Sequence, residues 1–295
     1  MNPHELITIN QVSVAEIQLL PNSKNTKFET KMNIRSEIDN YIKYYIALKR
    51  IFDVDCTFES PFQEPINSPE QILQAASKLK ELWNINSPIF PDVFSKIQQS
   101  GIIIAESPTY MFTEKIGGYI NNKYPLIILY KDDFTPKKRF YALHELAFFL
   151  FNFSSEQADG QREALADLFA EEMLMSDQTL ISLLEKKHKN IYIPEFQLIE
   201  YQYGIPLKIV MKKALRLDLI SQMQYDKIYD KLKSESFDCR EDKSYLQEEV
   251  SCQFKQLVFK ALGLELIYLK EAAQLLEVPL DELKREFLSK VVLEE

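Results

Sequence analysis

Apolar residues along the chain change their spacing several times, and each change predicts an element. From Ser36 onward, Ile38, Tyr41, Ile42, Tyr45, Ile46, Leu48 and Phe52 recur mostly three and four apart, the spacing of one buried helical face. Residues 1 to about 35 hold no sustained period and read as a loose N-terminal arm. The run CTFESPFQEPIN breaks the helix with two prolines. At Ser68, SPEQ supplies an N-cap hydroxyl, proline at the first helical position and Gln71 to close a capping box. A helix is expected to start there and bury Ile72, Ala75, Ala76, Leu79, Leu82 and Trp83. A shorter one from about Pro91 buries Val93, Phe94 and Ile97 until Gly101 stops it.

The pattern then switches from helical to extended. GIIIAES reads as a strand, and GGYI and YPLIILY, separated by the polar turn NNK, read as a hairpin or meander beside it. Thr135 as N-cap and Pro136 as first helical residue open a helix through Phe140, Leu143, Leu146, Ala147 and Leu150, apolar almost all round and therefore central. The loop SSEQADGQ turns the chain into a second helix, from about Arg162 to Met175, whose Leu165, Leu168, Phe169 and Met173 face the first. The remainder, 177–295, is mostly helical with a charged break around SESFDCREDKS. The fold class expected is α+β, mostly helical with a small sheet.

At 295 residues the chain has room for about two domains or one elaborate one. Lys+Arg 35 against Asp+Glu 44 gives 35 − 44 = −9, which excludes a surface built throughout to hold nucleic acid and leaves a local basic patch open. Cys56, Cys239 and Cys252 are far apart with no C-x-x-C pair, so neither a disulfide framework nor a cysteine zinc site is indicated. No run approaches the ~20 apolar residues of a membrane span, and the start MNPHELITINQ lacks a basic segment followed by an apolar core. The expected location is cytoplasmic, without membrane attachment. Histidines are limited to His4, His144 and His188, which restricts every metal or acid–base scheme.

Chemistry concentrates in the central helix at His144-Glu145-Leu146-Ala147-Phe148. A zinc hydrolase helix uses H-E-x-x-H because residues four apart share a face: both imidazoles bind one ion, and the Glu polarises a water. Phe148 stands where the second histidine would be. If the loop reverses the chain, Glu163 returns to the neighbourhood of 144–148, where a third ligand is required. Alone, His144 also fits a satisfied half-buried histidine, and Glu145 and Glu163 two surface carboxylates. His188, in the lysine-flanked turn EKKHKN, is a poor replacement ligand, and His4 in the arm reads as incidental. Asp159 and Asp167 are nearer in sequence, but Asp167 lies four residues beyond Glu163, and an aspartate would bias the site toward all-oxygen ligation ill suited to zinc.

Several stretches in order resemble the ImmA/IrrE-type metallopeptidases of bacteria and their mobile elements. KKRFYALHELAFFLF resembles that family's R-F-T-x-A-H-E-x-x-H-x-L helix, and EALADLFAEEMLMS its E-x-x-A-[ND]-x-F-A-x-x-L-L-M-P signature, with Ser176 in place of the last proline. SPEQILQAASKLKELWNI, the Pro-led short helix and GIII are similar to its lead-in, and FKQLVFKALGLELIYLKEAAQLLEVPLDEL to the tail of longer members; the likeness spans roughly 36–290. It implies a zincin-like domain over 36–176, with the small sheet beside the H-E-x-x-H helix, followed by a helical C-terminal region over 177–295. It implies zinc ligands at His144 and Glu163, with Glu145 as the catalytic general base. Phe148, matching the second zinc histidine, cannot ligate.

Longer members often carry an N-terminal helix-turn-helix domain, and the arm here is too short to be one. LKEAAQLLEVPLDELKREF has a helix-turn-helix shape of its own, but Lys284 and Arg285 face Asp281, Glu282 and Glu286 in its second helix, which suits packing better than phosphate contact. The family's usual role, as the resemblance implies it, is to relieve repression by cleaving a helix-turn-helix transcriptional regulator. With two zinc ligands left, zinc is expected to bind weakly or not at all. The reading that follows is a peptidase-like regulator with a degenerate site, non-catalytic or impaired, acting on a protein partner. Its alternatives are an active zinc metallopeptidase cleaving such a repressor and a DNA-associated regulator. Strong nucleic-acid binding is not expected.

Overall fold

A mixed four-stranded sheet separates two layers of helices in the computed structural model, which describes residues 17–19, 28–54, 57–108, 115–154, 156–184, 192–234, 249 and 252–290. In chain order the elements are β1 (Ile17–Leu19), α1 (Phe28–Ile51), β2 (Pro65–Ile66), α2 (Pro69–Leu82), α3 (Val93–Gln99), β3 (Ile103–Ser107), β4 (Lys115–Ile120) and β5 (Tyr124–Tyr130). They continue as α4 (Thr135–Leu150), β6 (Asn152–Phe153), α5 (Asp159–Leu174), α6 (Asp177–Leu184), α7 (Ile193–Tyr203), α8 (Leu207–Arg216), α9 (Gln222–Ser234), α10 (Cys252–Gly263), α11 (Leu269–Leu275) and α12 (Leu280–Lys290). The class is α+β and mostly helical.

The sheet runs β1-β4-β5-β3, with β4 antiparallel to both neighbours and β3 parallel to β5; β2 and β6 form a separate parallel pair. Asn121 and Asn122 make the β4–β5 turn at φ 53° and 55°, a left-handed conformation that asparagine tolerates and that matches the twist of a tight hairpin. Both sheet faces are covered, so YPLIILY has no polar alternation to show. Ile127 and Leu129 enter the core built with α2–α9, while Leu126 and Ile128 enter the core built with α1 and α10–α12.

The capping box at Ser68 forms as expected. Ser68 Oγ accepts the Gln71 N–H at 3.4 Å, and Gln71 Oε1 accepts the Ser68 N–H at 3.1 Å. Several boundaries differ from expectation. Leu82 is exposed because α2 ends there. Phe134, in extended backbone, precedes α4, so Thr135 is its first helical residue rather than its cap. Gln161 Oε1 accepts the Ala158 N–H at 3.2 Å, and α5 begins at Asp159 rather than Arg162. The segment read as a loose arm contains β1 and the start of α1. Ile34 extends the buried stripe one turn ahead of Ile38, and β1 exists by pairing with β4. The charged break expected after α9 lies, beyond Ser234, outside the described residues.

The residues expected to form one C-terminal region divide between the two cores, α6–α9 on one side of the sheet and α10–α12 on the other. Glu277 at φ 53° makes the turn between α11 and α12, and Ala272, Ala273 and Leu283 are buried in the second core. Lys284 lies 3.9 Å from Asp281, and Glu286 pairs with Lys255 at 2.9 Å.

A buried arginine fixes the central helix. Arg139 on α4 is fully buried, donates its Nε–H to the Gly204 carbonyl at 3.1 Å and a terminal N–H to the Phe90 carbonyl, and pairs with Glu249. Glu249 also accepts the N–H groups of Val93 and Phe94 at 3.0 and 3.1 Å, a capping duty that Asp92, at φ 50°, does not perform.

Candidate functional site

Helices α4 and α5 pack against each other and carry the candidate chemistry between them. Glu163 and Asp167 are four residues apart on α5 and so project from one face. That face meets the buried His144 ring. His144 Nδ1 lies 2.8 Å from Asp167 Oδ1, and Nε2 lies 3.0 Å from Glu163 Oε2. The first is a hydrogen bond; the second is a close electrostatic contact outside the alignment of one. Carboxylates thus approach both ring nitrogens, and Asp167 fixes the ring so that Nε2 faces Glu163. Asp167 is itself 3.9 Å from Lys212 Nζ on α8.

Glu145 is buried on α4, 1% exposed. Phe148 is half-buried, with its ring centroid 5.5 Å from that of His144 and 5.4 Å from that of Phe153 on β6. Phe151, 6.0 Å from Phe153 and 5.2 Å from Phe62, continues the wall, while Phe149 meets Tyr119 at 5.3 Å and Phe58 at 6.3 Å. Where a second imidazole would complete an H-E-x-x-H pair, the chain supplies an apolar ring embedded among other rings.

Of the remaining sequence candidates, Asp159 is exposed and pairs with Arg162 in the first turn of α5. Ser176 accepts the Thr179 N–H at 3.1 Å and so starts α6, which accounts for a serine where the resembled signature has proline. His4 and His188 lie outside the described residues. The residue that sequence reasoning underrated is Asp167. It is a poor zinc ligand, but its spacing of four from Glu163 is the signal that it shares the His144 face.

The donor set does not fit a three-ligand zinc centre. Among the described residues no three His, Cys, Asp or Glu side chains are grouped to hold a metal ion. His144 offers Nε2 and Glu163 one carboxylate, Asp167 is on the far side of the imidazole, and Phe148 has no donor atom. Orientation of a histidine by a carboxylate on its second nitrogen is nonetheless the usual support of a metal-binding imidazole.

A second charge cluster braces α5 below the site. Lys213 is fully buried and reaches Glu172 at 3.1 Å, Asp177 at 2.7 Å and the Met175 carbonyl at 2.6 Å. Arg216 donates to both Asp177 oxygens, at 2.7 and 3.0 Å. Burial opposes the charge on Asp177, but hydrogen bonds from Arg216 and Lys213 outweigh it and hold the carboxyl well below the usual range. Burial pushes the Glu171 and Glu172 carboxyls up, with Lys213 partly offsetting each.

Compared with protein-family models, curated proteins and solved structures, the chain matches none. No helix among the described residues is long and apolar enough to cross a membrane.

Proposed function

We propose that this chain is a peptidase-like regulatory protein of the ImmA/IrrE type, with a degenerate zinc site, that binds a protein partner at its old cleft without cutting it. The observation that carries the reading is the Phe148 ring 5.5 Å from the His144 ring, where a second zinc imidazole is required. A catalytic zinc normally has three protein ligands and keeps a fourth position for water. Two ligands beside an aromatic wall leave neither a firm hold on the ion nor a polar berth for the water.

Support for the zincin-like ancestry of the cleft comes from the same place. A helix bearing His144-Glu145 lies against a mixed sheet, and the next helix returns Glu163 to 3.0 Å from the imidazole. In this reading Asp167 still orients the ring, Glu163 and the Asp167–Lys212 pair give the cleft a charged rim, and Phe148 and Phe153 give it an apolar wall. Such a cleft suits a protein segment carrying an apolar side chain and a positive or amide group. The partner class that the sequence resemblance implies is a helix-turn-helix regulator, and a cytoplasmic setting goes with it.

Retention of His144, Glu145 and Glu163, with Asp167 on Nδ1, favours a second reading, an active zinc peptidase acting on such a regulator. Metal analysis of the purified full chain after mild dialysis separates the two. Strongly substoichiometric zinc is expected; near-stoichiometric zinc would overturn the degenerate-site reading in favour of the enzyme.

A further inference from the structure

We propose that Asp159 and Gly160, in the first turn of α5, form a site of spontaneous aspartate isomerisation, a covalent change to isoaspartate beside the candidate site. Of the six glycines in the chain, Gly160 alone follows an aspartate or an asparagine. The Asp159 side chain is 88% exposed, and Ala158, Gly160 and Gln161 around it are exposed as well. A Cβ added at Gly160 would meet nothing within 4 Å, so no neighbour crowds the residue. Its N–H is one of the four that a helix start leaves without an intrahelical acceptor. Gln161 and Arg162 donate to the Ala158 carbonyl at 2.9 and 3.2 Å, whereas the Gly160 N–H makes no hydrogen bond among the described residues. Ala158, at the N-cap, has no side-chain acceptor to hold it.

The reaction joins two adjacent groups. The Gly160 nitrogen attacks Cγ of the protonated Asp159 carboxyl, a C–N bond forms, the nitrogen gives up its proton and the carboxyl hydroxyl leaves as water. Water then opens the cyclic imide. Attack at the Asp159 main-chain carbonyl carbon leaves the chain running through Cβ and Cγ with a free carboxylate on Cα; attack at Cγ restores aspartate. One water leaves and one enters, so the composition is unchanged. Ring closure requires the first turn to open, because helical backbone holds Cγ away from the next nitrogen. A helix end with alanine as its cap and glycine in its first turn opens readily, and the surface ion pair of Asp159 with Arg162 is a weak tie. The product adds one backbone carbon ahead of Glu163 and takes the side-chain carboxylate away from Arg162. Glu163 lies one turn further along, 3.0 Å from His144 Nε2, so the turn that loosens is the one that positions it.

This chemistry does not depend on what the cleft binds, so its test stands apart from the zinc reading. The purified full chain is held at physiological temperature and neutral pH over weeks, and samples are digested and mapped by mass spectrometry with electron-transfer fragmentation, which separates isoaspartate from aspartate. Isoaspartate should accumulate at 159 ahead of every other aspartate, with a transient form one water lighter. Gly160→Val, whose branched side chain points into open space but shields the nitrogen, should suppress it, and Asp159→Asn, which loses ammonia instead of water, should speed it. Amide exchange at Arg162 and Glu163 should be faster in the aged chain than in the fresh one. A free peptide of the sequence SEQADGQRE is the reference for unhindered reaction. Isomerisation of that peptide without any at 159 in the folded chain would overturn the proposal, because the helix then holds the turn closed. An equal rate in Gly160→Val, or unchanged exchange at Arg162 and Glu163 in the isomerised chain, would contradict it as well.

Discussion

Replacing Glu249 with alanine should be among the most damaging single changes outside the site, and the Arg139 environment gives its size. Arg139 is fully buried, and the Glu249 side chain that neutralises it is only 5% exposed. Breaking a buried ion pair by removing one partner costs about 3–5 kcal/mol, because the other charge stays behind. The Val93 and Phe94 N–H groups lose their acceptor as well, at about 1–3 kcal/mol each when left dry. Water entering the space vacated by the carboxylate would recover part of both, so the expected total is about 4 kcal/mol. Against a typical stability of about 5–15 kcal/mol that is a large fraction. In a chain of this size it corresponds to a fall in Tm of about 6 °C. Trp83, the single tryptophan, sits 6.1 Å ring to ring from Phe90, whose carbonyl takes an Arg139 N–H. Its fluorescence during urea unfolding therefore reports on the right place. Glu249→Gln should fall between alanine and the parent, since it keeps acceptors for the two N–H groups but leaves the arginine charge. Pairing Glu249→Leu with Arg139→Met should recover only the part due to the stranded charge, because the Val93 and Phe94 N–H groups still lose their acceptor. A Glu249→Ala cost below about 1 kcal/mol would refute the view that this pair holds α4 against α3 and the segment ahead of α10.

Other outcomes follow from the same contacts. Asp177 has a lowered folded pKa, so its contribution is present above the unfolded value of about 3.9 and lost as pH falls through the folded one. Glu171 and Glu172 are raised and act oppositely, with stability falling as pH rises from their unfolded values through the folded ones. Thermal melts across pH should show an acid limb below about pH 4 that Asp177→Asn flattens; an unchanged limb would remove Asp177 from the account. In a Phe148→His background, Asp167→Ala should weaken zinc binding by about 10–100-fold through loss of ring orientation, measurable by chelator competition. Duplex DNA should bind weakly at physiological salt given the net charge of −9, and tight binding with a steep salt slope would contradict that.

Local chemistry made much of the fold readable. Ser68-Pro69 with Gln71 announced α2, paired asparagines announced the β4–β5 turn, and an apolar helix carrying His144-Glu145 announced the centre. Features made by distant partners were not readable. Nothing near Ile17 signals that it pairs with Ile120, because a three-residue strand has no period of its own. Glu249 lies 110 residues from Arg139, and no local pattern marks either as buried. The division of the helices after α5 between two cores depends on both sheet faces being covered, which short apolar runs do not distinguish from one buried face. At the site, the spacing placed Glu163 and Asp167 on one helical face. Which nitrogen of His144 each would meet required the orientation of α4 against α5.

The most direct test of the degenerate-site account is zinc affinity of the parent and of Phe148→His, measured side by side by isothermal titration calorimetry on the full chain. An imidazole at 148 would stand four residues from His144 on the same helical face and join Glu163 as the third ligand. The account predicts one tight site in the variant and, in the parent, binding weaker by at least about 100-fold. Equal affinities would contradict it, whether because the parent already binds zinc tightly or because the variant gains nothing.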